Sequence, residues 1–102
     1  MDLKPGSRWK STVCDVEVVI VRSPKAPTIL ECGGHQMVPH AANTSSDLRL
    51  EPTRASGSQA GKRFEDVHSG LEVLCTKSGV GSLAVDGRLM GPKVAKKLPS
   101  SD

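Results

Sequence analysis

The chain alternates between short apolar runs and turn-forming segments, a pattern typical of β proteins. Residues 16–21 read Val-Glu-Val-Val-Ile-Val, and a second apolar run at 28–32 follows two prolines within 23–27. β-Branched side chains have few χ1 rotamers and pack well on a pleated surface, so both runs are expected to be strands. Prolines cannot continue a sheet ladder and indicate a turn. We therefore predict a β-hairpin that ends at Gly33-Gly34.

A second hairpin is predicted in the later part of the sequence. Residues 71–76 and 82–85 are apolar runs, and the glycine-rich segment 77–81 lies between them. Asp86-Gly87 follows, and this pair favours tight turns in which both central residues have positive φ.

The remaining segments are rich in small and polar residues. A short strand is expected at 47–51, where Leu48 and Leu50 alternate with charged residues. Residues 55–61 have the composition of a mobile surface loop. The tail at 91–102 carries three lysines and is expected to be poorly ordered.

The two predicted hairpins align with each other as an internal repeat. The offset is 55 positions before the first turn and 53 after it. The matched pairs are Trp9/Phe64, Cys14/Ser69, Glu17/Glu72, Val18/Val73, Val19/Leu74, Leu30/Leu83, Cys32/Val85, Gly34/Gly87, Met37/Met90 and Pro39/Pro92. The change of offset falls inside a turn, where length changes are tolerated. A chance similarity between two hairpins is the alternative.

A copy of roughly 30 residues is too small to bury a stable core alone. We therefore predict an all-β fold in which two repeated β-hairpin units pack with pseudo-two-fold symmetry into one small domain. The expected limits are about 9–39 for the first repeat, 40–63 for a linker, 64–92 for the second repeat and 93–102 for a flexible tail. The residues expected to be buried are Trp9, Val18, Ile20, Leu30, Val73, Leu83 and Val85.

Composition limits the partners that the protein can have. The 102 residues contain one Trp, one Phe and no Tyr, too few for a platform that stacks nucleic-acid bases. The net charge of +3 is too small to imply a polyanionic partner, so no nucleic acid is expected. The longest apolar run, 18–21, is far shorter than a membrane span, so no membrane association is expected. Residues 1–10 lack the apolar stretch of an export signal, which predicts a cytoplasmic location.

Each repeat resembles the rubredoxin-like, iron-binding module of desulforedoxin, which runs aromatic, Cys-x-x-Cys, β-hairpin, Leu-x-Cys-Cys-Gly-x-x-Met. Residues 9–14, Trp-Lys-Ser-Thr-Val-Cys, are similar to its first part, and residues 30–37, Leu-Glu-Cys-Gly-Gly-His-Gln-Met, to its second. The resemblance implies the fold and a Cys₄ metal site. In the first repeat the four ligand positions hold Ser11, Cys14, Cys32 and Gly33, and in the second they hold Asp66, Ser69, Val85 and Asp86. A closed Cys₄ centre for iron or zinc is therefore not encoded in either copy.

Cys14 and Cys32 are the candidate metal-ligating residues, with His35 as a third ligand and His40 as the alternative to it. Three cysteines without an export signal favour free thiols or metal ligands over a disulfide framework. In the predicted hairpin Cys32 faces Val18, which puts Cys14 about 13 Å further along a straight strand. The two sulfurs meet only if the chain before Val16 folds back. The competing interpretations are a residual metal or redox site and two small buried thiols that serve packing.

No other segment predicts a catalytic or ligand-binding motif. Gly79-Val80-Gly81-Ser82 lacks the lysine and the helix of a phosphate-binding loop. His68 lies beside the emptied second site, and Glu17 and Glu72 are expected on solvated strand faces. No nucleophile and base occur in a spacing that supports nucleophilic catalysis.

The function that follows is a non-enzymatic accessory or protein-binding module that has lost most of an ancestral Cys₄ metal site and needs no cofactor. Such a module is expected to present sheet edges, or the apolar surroundings of Met37 and Met90, to a protein partner. The alternative is a small metal-binding protein that holds zinc or iron at Cys14 and Cys32.

Overall fold

The computed structural model of the protein describes residues 1–43 and 48–93. In this part of the chain ten β-strands form two antiparallel sheets, and there is one 3₁₀ turn. The predicted all-β class is confirmed. The strands are β1 (Arg8–Lys10), β2 (Glu17–Arg22), β3 (Leu30–Cys32), β4 (His35–Gln36), β5 (Val38–Pro39), β6 (Arg63–Glu65), β7 (Glu72–Lys77), β8 (Leu83–Val85), β9 (Arg88–Leu89) and β10 (Gly91–Pro92). The 3₁₀ turn is Pro52–Arg54.

The larger sheet has six strands in the order β10-β6-β7-β2-β1-β5, and the smaller has four in the order β4-β3-β8-β9. Strands from both sheets contribute to one hydrophobic core. All seven residues expected to be buried belong to it, none more than 7% exposed. It also contains residues that the strand pattern did not single out: Leu3, Val16, Cys32, Met37, Leu71, Cys75 and Met90.

The two predicted hairpins are wrong, although their strands exist. β2 pairs with β1 and β7, whereas β3 pairs with β4 and β8 in the other sheet. Cys32 consequently lies opposite Leu83 and His35 instead of Val18. The physical reason is that β2 already has a hydrogen-bonding neighbour on each side, which leaves no position for β3. The segment with the two prolines carries the chain between sheets instead of reversing it within one.

Strands β1–β5 and β6–β10 match in length and order at the offsets of the predicted repeat. Their pairing registers match too: Trp9 lies opposite Val18 as Phe64 lies opposite Val73. At the centre of the large sheet, Val19 of β2 faces Leu74 of β7, its counterpart at the offset of 55. These correspondences support a duplication, which stays a prediction.

Two tight turns connect the short strands of the small sheet. Gly33 and Gly34 have φ of 67° and 87°, and Asp86 and Gly87 have φ of 49° and 82°. Positive φ at both central residues is the geometry that suits a two-residue hairpin. The glycines at 34 and 87 supply it without steric cost.

The connecting segments differ from expectation in three places. Residues 48–51 form no strand, and residue 47 lies outside the described residues. The loop at 55–61 is fixed at Ser58, whose hydroxyl is buried and donates to the Gly81 carbonyl at 2.8 Å. Residues 91–92 of the expected tail form β10, while 94–102 lie outside the described residues. The composition of these segments did not predict the Ser58 contact or β10, because each depends on a partner far away in the sequence.

Prolines occupy both edges of the large sheet. The His40 amide donates to the Arg8 carbonyl at 3.0 Å, and the Lys93 amide donates to the Arg63 carbonyl at 2.8 Å. Because backbone N–H groups alternate sides along a strand, positions 39 and 92 face away from their neighbouring strands. Pro39 and Pro92 have no N–H to offer there.

No helix among the described residues is long and apolar enough to cross a membrane.

The matched positions of Val18 and Val73 provide a test of the repeat by stability. Both side chains are at most 1% exposed, so Val18→Ala and Val73→Ala should each lower the free energy of unfolding by about 1–3 kcal/mol. Urea unfolding measures the loss, and Val67→Ala, at a residue 81% exposed, is the control. A neutral result at one of the two positions would show that the halves are not energetically equivalent.

Candidate functional site

The segment before β2 folds back on itself. The Ser11 amide donates to the Val16 carbonyl at 2.9 Å, and the Ser11 hydroxyl accepts from the amides of Val13 and Cys14 at 3.1 and 3.2 Å. We call residues 11–16, together with Cys32 and Gly33, the first knuckle. The fold-back that a meeting of Cys14 and Cys32 requires is therefore present.

The first knuckle brings two thiols into contact. The Sγ atoms of Cys14 and Cys32 are 3.8 Å apart, and Cys14 Sγ lies 3.3 Å from the Ser11 hydroxyl. Cys32 is fully buried, whereas Cys14 is half-buried. Burial, and after it the neighbouring Cys14, raises the pKa of the Cys32 thiol well above its usual range. The Cys32 sulfur is therefore a protonated thiol at neutral pH unless a ligand or a reaction removes the proton.

The two other ligand positions cannot complete a Cys₄ site. A Cβ atom at Gly33 would lie 2.6 Å from side-chain carbons of Val13 and Leu50, and its φ of 67° disfavours an L side chain. Ser11 uses its hydroxyl to hold the knuckle. Gly81 covers the sulfurs, since a Cβ there would lie 2.8 Å from Cys32 Sγ and 2.9 Å from Cys14 Sγ.

Neither candidate histidine joins the two cysteines. His35 Nε2 makes a hydrogen bond of 2.7 Å with the Arg49 carbonyl oxygen, and His40 Nε2 lies 3.0 Å from a Glu17 carboxylate oxygen. Across residues 1–43 and 48–93, no three His, Cys, Asp or Glu side chains come together as a metal site would need. The residues present thus fit half of a tetrahedral ligand set. His68 is exposed.

The matched positions of the second repeat form an ion pair that the sequence analysis missed. Asp66, 7% exposed, accepts from the Arg88 guanidinium at 2.9 and 3.4 Å and from the Ser69 amide at 3.0 Å. Hydrogen bonding by Arg88, more than any other group, lowers the pKa of Asp66 to about 2. We call residues 66–71 with Arg88 the second knuckle. The repeat alignment could have indicated this pair, because its offsets match Asp66 with Ser11 and Arg88 with His35, two residues already considered at the first site.

Each knuckle is closed by a loop from the other half of the chain. The loop between β7 and β8 covers the first, where Gly33 N donates to Ser82 O at 3.1 Å. The loop between β2 and β3 covers the second, where Lys25 N donates to Ser69 O at 2.7 Å. Both knuckles therefore depend on the assembly of the whole domain.

The expectation of solvated faces for both glutamates is wrong for Glu72. Its side chain is 4% exposed and lies 2.6 Å from Lys93 Nζ and 3.5 Å from Arg63 Nη1. These cations, with Lys93 first, hold the pKa of the Glu72 carboxyl below its usual value. Glu17 is 27% exposed, beside His40 and Lys77. The buried Glu72 carboxylate is therefore paired with cations from two neighbouring strand segments.

Neither a family model nor a curated protein nor a solved structure matches this chain.

The ion pair of the second knuckle should make stability depend on acidity. The folded pKa of Asp66 is about 2, below its usual 3.8, so its contribution is complete above pH 4 and disappears as the pH falls to 2. At pH 7 Asp66→Asn should cost up to about 2 kcal/mol, reduced by solvent screening because the Arg88 side chain is 41% exposed. Urea unfolding from pH 7 to pH 2 measures this difference. The exposed Asp15→Asn is the control, and a gap that persists unchanged at pH 2 would contradict the assignment.

Proposed function

We propose that the protein is a non-enzymatic binding module whose fold is held by its own side chains in place of an ancestral metal centre. One observation carries this proposal: both knuckles are filled from within the chain. Asp66 and Arg88 satisfy each other in the second, and in the first a thiol pair lies under Gly81, with Val13 and Leu50 crowding Gly33. A core that joins both sheets supplies the stability that a metal would otherwise add.

Two of the surfaces expected to receive a partner are unsuitable. Met37 and Met90 are at most 8% exposed and belong to the core. The large-sheet edges carry Pro39 and Pro92 where an added strand would need a donor. Recognition by strand addition to this sheet is therefore disfavoured.

A groove beside the second repeat is the surface that best suits a protein partner. Phe64 and Pro92 form its apolar side, and residues 56–59, Lys62, Ser78 and Gly79 form its polar side. Its volume of about 590 Å³ is large enough for side chains of an extended peptide. An aromatic residue beside backbone-rich, weakly charged walls favours an uncharged apolar anchor from the partner.

The groove assignment is tested by comparing variants in affinity capture with quantitative mass spectrometry. Phe64→Ala should reduce recovery of a specific partner at least about tenfold, since a buried aromatic anchor contributes 1.4 kcal/mol or more. Val67→Ala, which removes an exposed apolar side chain outside the groove, should leave recovery unchanged. Thermal melts establish that Phe64→Ala is folded, and Pro92→Ala provides a second variant. Partners that respond equally to Phe64→Ala and Val67→Ala would contradict the groove.

A small metal-binding protein is the second candidate, because one distance favours it. The 3.8 Å between the sulfurs equals the edge of a tetrahedron with Zn–S bonds of about 2.3 Å. Cys14 and Cys32 would hold the ion. The site would be open, with two coordination positions left for outside ligands, and the metal would be exchangeable. The Nε2 atom of His35 is held by its hydrogen bond to the Arg49 carbonyl oxygen.

Metal analysis of a double variant separates the two candidates. For a module that folds by packing, Cys14→Ser/Cys32→Ser should retain the circular dichroism spectrum, with an unfolding free energy lowered by about 1–2 kcal/mol from altered burial and hydrogen bonding. Wild-type protein treated with a chelator should also remain folded. One equivalent of zinc or iron in the native protein, removed by chelator with loss of structure, would instead establish the metalloprotein.

A further inference from the structure

Cys14 and Cys32 are close enough to react with each other. Their sulfurs are in van der Waals contact at 3.8 Å, and both cysteines are free thiols. A disulfide bond is about 2.05 Å long, so bond formation needs an approach of less than about 2 Å. The two residues lie 18 positions apart, one in the segment before β2 and one in β3.

The surroundings let one sulfur move and keep the other fixed. Cys14 lies in the irregular segment before β2 and takes part in no strand pairing, although it contacts the Ser11 hydroxyl at 3.2 and 3.3 Å. Cys32 lies in β3 between β4 and β8. Movement of residues 11–16 can therefore bring the Cys14 sulfur to the Cys32 sulfur without breaking the pairing of β3 with β4 and β8.

Exposure sets the order in which the two sulfurs react. Cys14 is half-buried, whereas Cys32 has no exposed surface. A small oxidant thus meets Cys14 first, and Cys32 is positioned as the second thiol that resolves the product.

We propose that Cys14 and Cys32 are a redox-active pair that a hydroperoxide oxidises to a disulfide and a dithiol reduces again. In the first step, written for hydrogen peroxide, Cys14 gives up its thiol proton and its sulfur attacks a peroxide oxygen. The O–O bond breaks, and the leaving hydroxide takes up that proton as water. Cys14 is then a sulfenic acid. In the second step Cys32 sulfur attacks Cys14 sulfur, the S–O bond breaks, and the Cys32 proton leaves with the hydroxide as a second water.

The overall reaction converts two thiols and one hydroperoxide into one disulfide and, with hydrogen peroxide, two waters. The sulfurs lose two electrons and the peroxide gains them. Reduction returns both electrons and two protons by thiol–disulfide exchange with a dithiol, which becomes a disulfide itself.

Cys75 is a built-in control for this chemistry. It is fully buried in β7, and its Sγ donates to the Lys77 carbonyl at 3.2 Å. Burial raises the pKa of this thiol, which keeps it protonated. It shares the core with the pair, yet it has neither the exposure of Cys14 nor a sulfur in contact.

Mass spectrometry of the full chain tests the proposal. Reduced protein in chelator-containing buffer is treated with hydrogen peroxide, denatured and titrated for thiols. The expected result is a fall from three thiols to one, a mass loss of about 2 Da, and one linked peptide pair joining Cys14 to Cys32. Dithiothreitol should restore all three thiols.

Matched variants place the reaction on this pair. Cys75→Ser should form the same link and retain no free thiol, whereas Cys14→Ser and Cys32→Ser should form no internal disulfide. Peptide mapping of wild-type protein decides the matter even if a variant fails to fold. A link that includes Cys75, or a sulfinic acid at Cys14 beside an unreacted Cys32, would overturn the proposal.

Discussion

The antiparallel pairing of β2 with β7 is the interaction on which the rest of the molecule depends. It joins the two halves at the centre of the large sheet, with Val18 opposite Cys75 and Ile20 opposite Val73. These four side chains are at most 2% exposed. Without β7, β2 would be an edge strand with apolar residues open to water, and neither half has a second sheet large enough to cover them. Stability is therefore a property of both halves together.

The sequence was sufficient to predict the four strands β2, β3, β7 and β8, but not the remaining strands and not the pairing partners. β-Branched runs and turn residues locate β2, β3, β7 and β8 because rotamer preference and backbone sterics act locally. Pairing depends on which edges are free in the assembled fold. The prediction that Cys32 faces Val18 failed for that reason, since β1 and β7 occupy both sides of β2. The Asp86-Gly87 turn was predictable because its positive φ values are a property of the residues themselves.

The candidate site was likewise predictable only where local sequence decides the structure. The meeting of Cys14 with Cys32 could be stated only as a condition, because it needs the Ser11 hydroxyl to hold the chain in a reversal. His35 has a spacing from Cys32 that suits a third metal ligand. Its Nε2 atom is instead hydrogen-bonded to the carbonyl oxygen of Arg49, which lies outside the predicted repeat. Asp66 was noted only as the occupant of a replaced ligand position, and its partner Arg88 lies 22 positions away in the sequence. One backbone arrangement thus holds two different pairs of groups: a carboxylate–guanidinium ion pair in the second knuckle and two thiols in contact in the first.

The mutual covering of the knuckles has a consequence for how the chain associates at high concentration. The two halves are joined by the pairing of β2 with β7 and by the contact of Lys25 with Ser69. The same contacts can form whether the two halves belong to one molecule or to two. Two chains that open at the same time can exchange halves and rebuild every one of these contacts as a domain-swapped dimer. The prolines at the large-sheet edges oppose further growth of such a dimer by strand addition. The interface that makes a small core sufficient is thereby also one that two chains could share.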